Sequence, residues 1–121
     1  MKRILVVDDS ETSRQMISFA LQSTGYEVVT AIDGNDAVAK IGTSEFDLVV
    51  SDIVMPDMEG IELIRRLRRR FATMRVIAIS GGGKIGPGTY LEVAEACGAT
   101  KVFAKPLDFD KLLDCVKDIL S

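Results

Sequence analysis

Short apolar runs and amphipathic stripes alternate along this chain from one end to the other. Ile4-Leu5-Val6-Val7, Leu48-Val49-Val50 and Val76-Ile77-Ala78-Ile79 are continuous apolar runs bounded by polar or charged residues. That is the pattern of strands covered on both faces, and it predicts strands over residues 3–7, 46–51 and 75–79. Residues 101–104 form a further strand. Residues 26–31 alternate instead, Val28 and Thr30 against Glu27, Val29 and Ala31, which predicts a more exposed strand at a sheet edge. Between these runs, apolar residues recur at helical spacing. Met16, Ile17, Ala20 and Leu21 mark one face of a helix running through Gln22, capped by Ser10, favoured by Glu11 in its first turn and stopped by Gly25. Asp33 caps a short helix carrying Ala37, Val38 and Ile41, with Gly42 just past its end. A helix over 58–70, capped by Asp57, turns Ile61, Leu63, Ile64 and Leu67 inward. Another is expected around 90–97, before Gly98. The last, 108–120, carries Phe109, Leu112, Leu113, Val116 and Leu120 on one face. Five alternations of strand and helix predict a parallel sheet with helices on both faces.

Composition narrows the function classes. The chain has 121 residues, 47% apolar and 27% charged, which predicts one ordinary globular domain over residues 1–121. The last helix runs to the end of the chain, stopping one residue short of Ser121, so no output domain is expected. A net charge of −3 and a pI of about 4.9 argue against nucleic acid as the main partner. The apolar runs are far too short to span a membrane, and no signal peptide is visible. Cys97 and Cys115 lie in apolar helical surroundings without metal-ligand spacing and read as core thiols of a reducing, cytoplasmic compartment. The absence of histidine excludes a His-based triad, a His metal site and an internal phosphohistidine. Arg65, Arg66, Arg68, Arg69 and Arg70 cover the outer face of the third helix; the simplest reading is a solvated face favoured at a helix C-terminus, the other a docking surface.

The candidate chemistry stands just after the strands. Asp8 and Asp9 follow the first, Asp52 the third, Ser80 the fourth and Lys105 the fifth. Asp57 is the better cap for the third helix, so Asp52 is left without that role. In a parallel sheet these positions share one edge, where ligands of open α/β sheets bind. Three crowded carboxylates repel, and a divalent cation relieves the repulsion. Oxygen donors without His or Cys select Mg²⁺ or a similar hard ion. Lys105 as a point charge and Ser80 as a hydroxyl donor suit a phosphoryl group, leaving Asp52 as a candidate nucleophile.

In this order the motifs resemble the receiver domain of bacterial two-component response regulators, over the whole chain. Val6-Val7-Asp8-Asp9-Ser10 resembles the family's acidic pair, and Asp52-Ile53-Val54-Met55-Pro56-Asp57 its phosphoacceptor segment. Gly60, Ser80 and Lys105-Pro106 match the small residue, the hydroxyl and the Lys-Pro that follow. The resemblance implies a flavodoxin-like sheet of order 2-1-3-4-5. It implies that Asp52 accepts a phosphoryl group from a phosphohistidine of a histidine kinase or a histidine phosphotransfer protein. It also implies Mg²⁺ held by Asp9, Asp52 and the carbonyl of Val54, with Asp8 acting through water. Ser80 and Lys105 would bind phosphoryl oxygens, the Lys105-Pro106 peptide would be cis, and a downstream protein would read the altered surface.

Two departures stand out. Receivers commonly carry an aromatic residue three before the Lys; here that is Val102. Phe103, one position on, faces the opposite side of a strand and is not a displaced switch. The expected route of signal is therefore from Ser80 through the loop 81–88 and the helix after it. That loop, Gly81-Gly82-Gly83-Lys84-Ile85-Gly86, formally matches a dinucleotide fingerprint, but it follows the fourth strand and Pro87 interrupts the helix start. It reads better as a hinge. A Mg²⁺-dependent phosphohydrolase would need an acid/base Asp where Val54 stands. A flavin or nucleotide binder would not need three carboxylates and a lysine. Val54 and Gly82 cannot orient an attacking water, which predicts modest self-dephosphorylation.

Overall fold

The computed structural model describes residues 1–53, 60–71, 73–80 and 98–121. Five strands form one sheet: β1 (Arg3–Val7), β2 (Glu27–Ala31), β3 (Leu48–Asp52), β4 (Val76–Ser80) and β5 (Lys101–Ala104). Their order is β2-β1-β3-β4-β5, and every neighbouring pair is parallel. Four helices are described: α1 (Glu11–Ser23), α2 (Gly34–Thr43), α3 (Gly60–Arg70) and α4 (Phe109–Leu120). The helix expected around 90–97, with Cys97, lies outside the described residues, as do the loop 81–88 and the Asp57 cap.

The two faces of the sheet bury different side chains, because successive strand residues point in opposite directions. Leu5, Val7, Val49 and Ala78 pack with Ala37 and Ile41 of α2 and Leu63, Ile64 and Leu67 of α3. Ile4, Val6, Leu48, Val50, Ile77 and Ile79 pack with Ile17 and Leu21 of α1 and Leu112, Val116 and Leu120 of α4. The central strands β3 and β4 are buried at every residue. At about 2 kcal/mol for each large apolar side chain buried, these two layers hold the sheet edge rigidly enough to position a site. β2 is a partly exposed edge strand, as its alternation predicts, and β5 is the other.

The caps at Ser10 and Asp33 follow the sequence pattern, while Asp108, expected inside the last helix, stands just before it as its cap. Ser10, Asp33 and Asp108 each accept a hydrogen bond from the backbone N–H three residues on. Gly25 adopts a φ of 97°, which L side chains resist. Three further details of the helices differ from expectation. Met16 is 53% exposed while Ser18 is buried, because the inward stripe of α1 is centred on Ile17 and Leu21, about one residue round from Met16. Gly42 lies inside α2, which runs on to Thr43 and ends where the Ser44 N–H bonds the Lys40 carbonyl. The Arg face of α3 is not all solvated: Arg68 reaches across to the Gly98 carbonyl, Nε at 3.0 Å and a terminal nitrogen at 2.7 Å. The side chain of Ile61 is outside the described set. Cys115 is a half-buried free thiol, its pKa pushed up by burial. No described helix is long and apolar enough to cross a membrane.

Candidate functional site

The site is assembled from strand ends, each fixed by backbone pairing before any side chain is considered. Asp8 leaves β1 with its N–H bonded to the Ala31 carbonyl at 3.2 Å. Its carboxylate turns back to accept the Ser10 N–H at 2.9 Å, so the helix cap and the site share one turn. Asp52 is the last residue of β3, in register with Ile79, one residue later in the strand than its sequence pattern predicts. Lys105 is anchored by its N–H to the Ser80 carbonyl at 2.9 Å, just before a cis Lys105-Pro106 peptide.

From these anchors the Lys105 side chain crosses the sheet edge. Its Nζ lies 3.4 Å from an Asp8 carboxylate oxygen and 3.3 Å from one of Asp52. Asp8 is 1% exposed, Asp52 7% and Ser80 0%, whereas Asp9 is exposed. Asp8, Asp9 and Asp52 each offer an oxygen, and these oxygens lie within 4.8 Å of one another. Burial pushes the Asp8 carboxyl above its usual range, and the Asp52 charge pushes the same way; the Ser10 amide and Lys105 oppose them without prevailing. Burial alone would depress the Lys105 ammonium, but Asp52 and then Asp8 outweigh it and hold the pKa above its usual value. The lysine is thus a firmly charged cation, and one of its carboxylates is reluctant to ionise.

The donor set fits a hard divalent cation. It offers only carboxylate oxygens, close enough to converge on one ion, and a cation there would offset the burial and the Asp52 charge that push the Asp8 carboxyl up. Ser80 completes the edge, its Oγ buried and without a hydrogen-bond partner among the described residues. All five side chains named from the sequence therefore belong to one sheet edge. The carbonyl of Val54 lies outside the described residues.

One member of the site was not foreseen. Arg14 donates from its guanidinium to the backbone carbonyl of Asp8 at 2.8 Å and so ties α1 to the acidic turn. Side chains of a helix lean toward its N-terminus, so a long basic residue one turn after the Ser10 cap was the available signal. The two residues before Lys105 also divide as strand geometry requires. Val102 packs on the α2–α3 side and Phe103 on the α1–α4 side. Phe103 cannot stand in for an aromatic at the Val102 position.

Comparison with known proteins places this geometry among relatives. Residues 4–117 match the family described as the response regulator receiver domain. The chain is 38% identical to the chemotaxis protein CheY of Treponema pallidum, over 98% of its own length and 83% of that protein. It is 37% identical to the CAI-1 autoinducer sensor kinase/phosphatase CqsS of Vibrio cholerae, over 95% of its own length but only 17% of that larger protein. Against another relative, the sensor protein EvgS of Escherichia coli, it spans 9% of the length. Among solved structures, the response regulator TrrA of Thermotoga maritima in complex with Mg²⁺-BeF superimposes with a TM-score of 0.87 at 32% identity, covering 98% of this chain and 99% of that one.

Proposed function

The chain belongs to the response regulator receiver domain family, a family of phosphoacceptor switches in two-component signalling, and from that premise we propose that Asp52 is its phosphoacceptor. The donor is a phosphohistidine of a partner, on a histidine kinase or a histidine phosphotransfer protein. The observation that carries the reading is Lys105 Nζ lying within 3.4 Å of both Asp8 and Asp52, beside a buried Ser80 hydroxyl.

Asp52 sits at the rigid end of a fully buried strand, so its carboxylate meets an incoming phosphoryl group with little freedom to lose. An Asp52 oxygen attacks phosphorus in line; the phosphorus–nitrogen bond breaks, and its electron pair leaves with the partner's imidazole. The product is an acyl phosphate on Asp52. Lys105 is placed to exchange its carboxylate contacts for a phosphoryl oxygen, and the Ser80 hydroxyl to donate to another. Asp9, Asp52 and the backbone carbonyl of Val54 would hold Mg²⁺ directly, with Asp8 helping through water. When bound, that ion supplies charge neutralisation at the phosphoryl oxygens. Hydrolysis of the acyl phosphate is slow, because neither Val54 nor Gly82 can orient water. Output is docking to another protein or onward relay. With Val102 at the usual aromatic position, signal leaves Ser80 through the loop that follows it, and that loop and its helix should show shifted amide resonances on phosphorylation.

Intact-mass spectrometry after incubation with acetyl phosphate tests the assignment, since the chain has no Trp to report by fluorescence. A single phosphate adduct that requires Mg²⁺ and vanishes in Asp52→Asn is the expected result. An adduct that persists in Asp52→Asn, or forms equally well in chelator, refutes it.

A further inference from the structure

α3 concentrates positive charge in an acidic protein. Five of the chain's 15 lysines and arginines stand on this one helix, in a molecule of net charge −3. Its one carboxylate, Glu62, is shared between Arg66 at 3.6 Å and Arg69 at 3.5 Å. Arg68 is turned to Gly98. Arg65 and Arg70 have no carboxylate partner among the described residues, and Arg69 keeps 68% of its side chain exposed. A merely solvated face would not need such an excess, which raises the local potential at some cost in repulsion.

Beside this charge lies an apolar cleft of about 300 Å³ between α2 and α3. Val38, Ile41, Leu67 and Phe71 floor it, and Arg66, Arg69 and Arg70 rim it. The Arg70 guanidinium lies over the Phe71 ring at 5.5 Å, which fixes part of the rim in place. A second hollow shares Ile41, Arg70 and Phe71 and continues to Phe46 and Asp47, ahead of β3. The cleft is therefore at the opposite end of the sheet from Asp52.

We propose that this α2–α3 cleft docks an acidic amphipathic segment of a partner protein, one large apolar side chain seated on Val38, Ile41 and Phe71 while flanking carboxylates pair with Arg66, Arg69 and Arg70. The rim selects the sign of charge and the floor selects protein over nucleic acid. A polynucleotide would gain from the arginines but has nothing to place in an apolar hollow, and the rest of the surface would repel it. The inference does not depend on chemistry at Asp52, so the two can fail separately.

The test uses a short fluorescein-labelled peptide with a central Leu-Phe pair flanked by glutamates, followed by fluorescence anisotropy with the full chain. Binding tighter than about 100 μM at low salt, weakened by added salt, is expected. Replacing Leu-Phe by Ser-Ser in the peptide should cost about tenfold or more, as should Arg66→Glu/Arg69→Glu/Arg70→Glu in the protein. Arg69→Ala/Arg70→Ala serves if the triple charge reversal does not fold, and an unchanged circular dichroism spectrum with a cooperative thermal transition reports folding of either variant. Amide shifts on peptide binding should concentrate at residues 38–41 and 66–71. Absence of binding, indifference to the Leu-Phe pair, indifference to the arginine changes, or stronger binding of an oligonucleotide of equal charge would each overturn the proposal.

Discussion

Lys105→Met removes the ammonium at the centre of the site while keeping most of the aliphatic stem. Each carboxylate contact, at 3.3 and 3.4 Å, is worth about 5 kcal/mol of gross attraction at an effective dielectric of about 20. The Asp8–Asp52 repulsion, at no more than 4.8 Å, is about 3.5 kcal/mol or more on the same scale. Removing the cation from a buried group of this kind costs about 3–5 kcal/mol. Here one quarter of the lysine side chain is exposed and Asp9 is exposed, so the expected loss is about 2 kcal/mol. That corresponds to a urea midpoint lower by about 1 M and a Tm lower by about 8 °C, measured at pH 7 in chelator. The raised Lys105 pKa means its contribution is fully present below the usual lysine range and is lost as pH rises through the folded value. On the acid side the loss should shrink as Asp8 protonates, which begins above the usual carboxylate pKa of 3.8. Saturating Mg²⁺ should restore most of the deficit and raise the Tm of the variant more than that of the parent chain, because the competing cation is gone. A deficit equal in chelator, in Mg²⁺ and at pH 3 would refute the reasoning and reduce Lys105 to a packing residue.

Asp8→Asn should stabilise the metal-free chain at pH 7, because burial and the Asp52 charge disfavour the ionised carboxyl, while weakening Mg²⁺ binding tenfold or more. The raised Asp8 pKa makes its contribution favourable only below the folded value and lost as pH rises through it, so the gain should vanish at pH 3 in urea titrations. Arg14→Met deletes the hydrogen bond to the Asp8 carbonyl and should cost about 1.5 kcal/mol. It should also slow labelling by acetyl phosphate at subsaturating Mg²⁺ by about tenfold, with partial recovery in Arg14→Lys. Gly98 has a φ of 113°, and a Cβ there would stand 2.8 Å from Arg68 Nε. Gly98→Ala should therefore cost about 2 kcal/mol, and less than that in an Arg68→Ala background, which a double-mutant cycle by thermal unfolding would show.

Most of this protein was legible in its sequence because the determining signals are local. A buried strand requires a continuous apolar run, so β1, β3 and β4 announced themselves, and the polar residue ending each run marked one edge of the sheet. Ser10 and Asp33 cap helices through bonds spanning three residues, which spacing alone discloses. Val102 and Phe103 were assigned to opposite faces from strand periodicity, and the two core layers divide them so. What the chain does not encode locally is who meets whom across a crossover. Asp8 and Asp9 are neighbours of the same type, yet one is buried and reluctant to ionise and the other is exposed. Only the positions of β2, β3 and Lys105 around the turn make that distinction. Met16 fell outside the buried stripe because the angle at which α1 rests on the sheet, not the count of apolar residues, selects the inward face. Arg68 read as one charge of a solvated face, and Arg14 drew no reading, until the fold brought the Gly98 and Asp8 carbonyls within their reach. Local periodicity chose the elements and the edge that bears the chemistry; the tertiary structure chose the partners, and with them the charge state of the site.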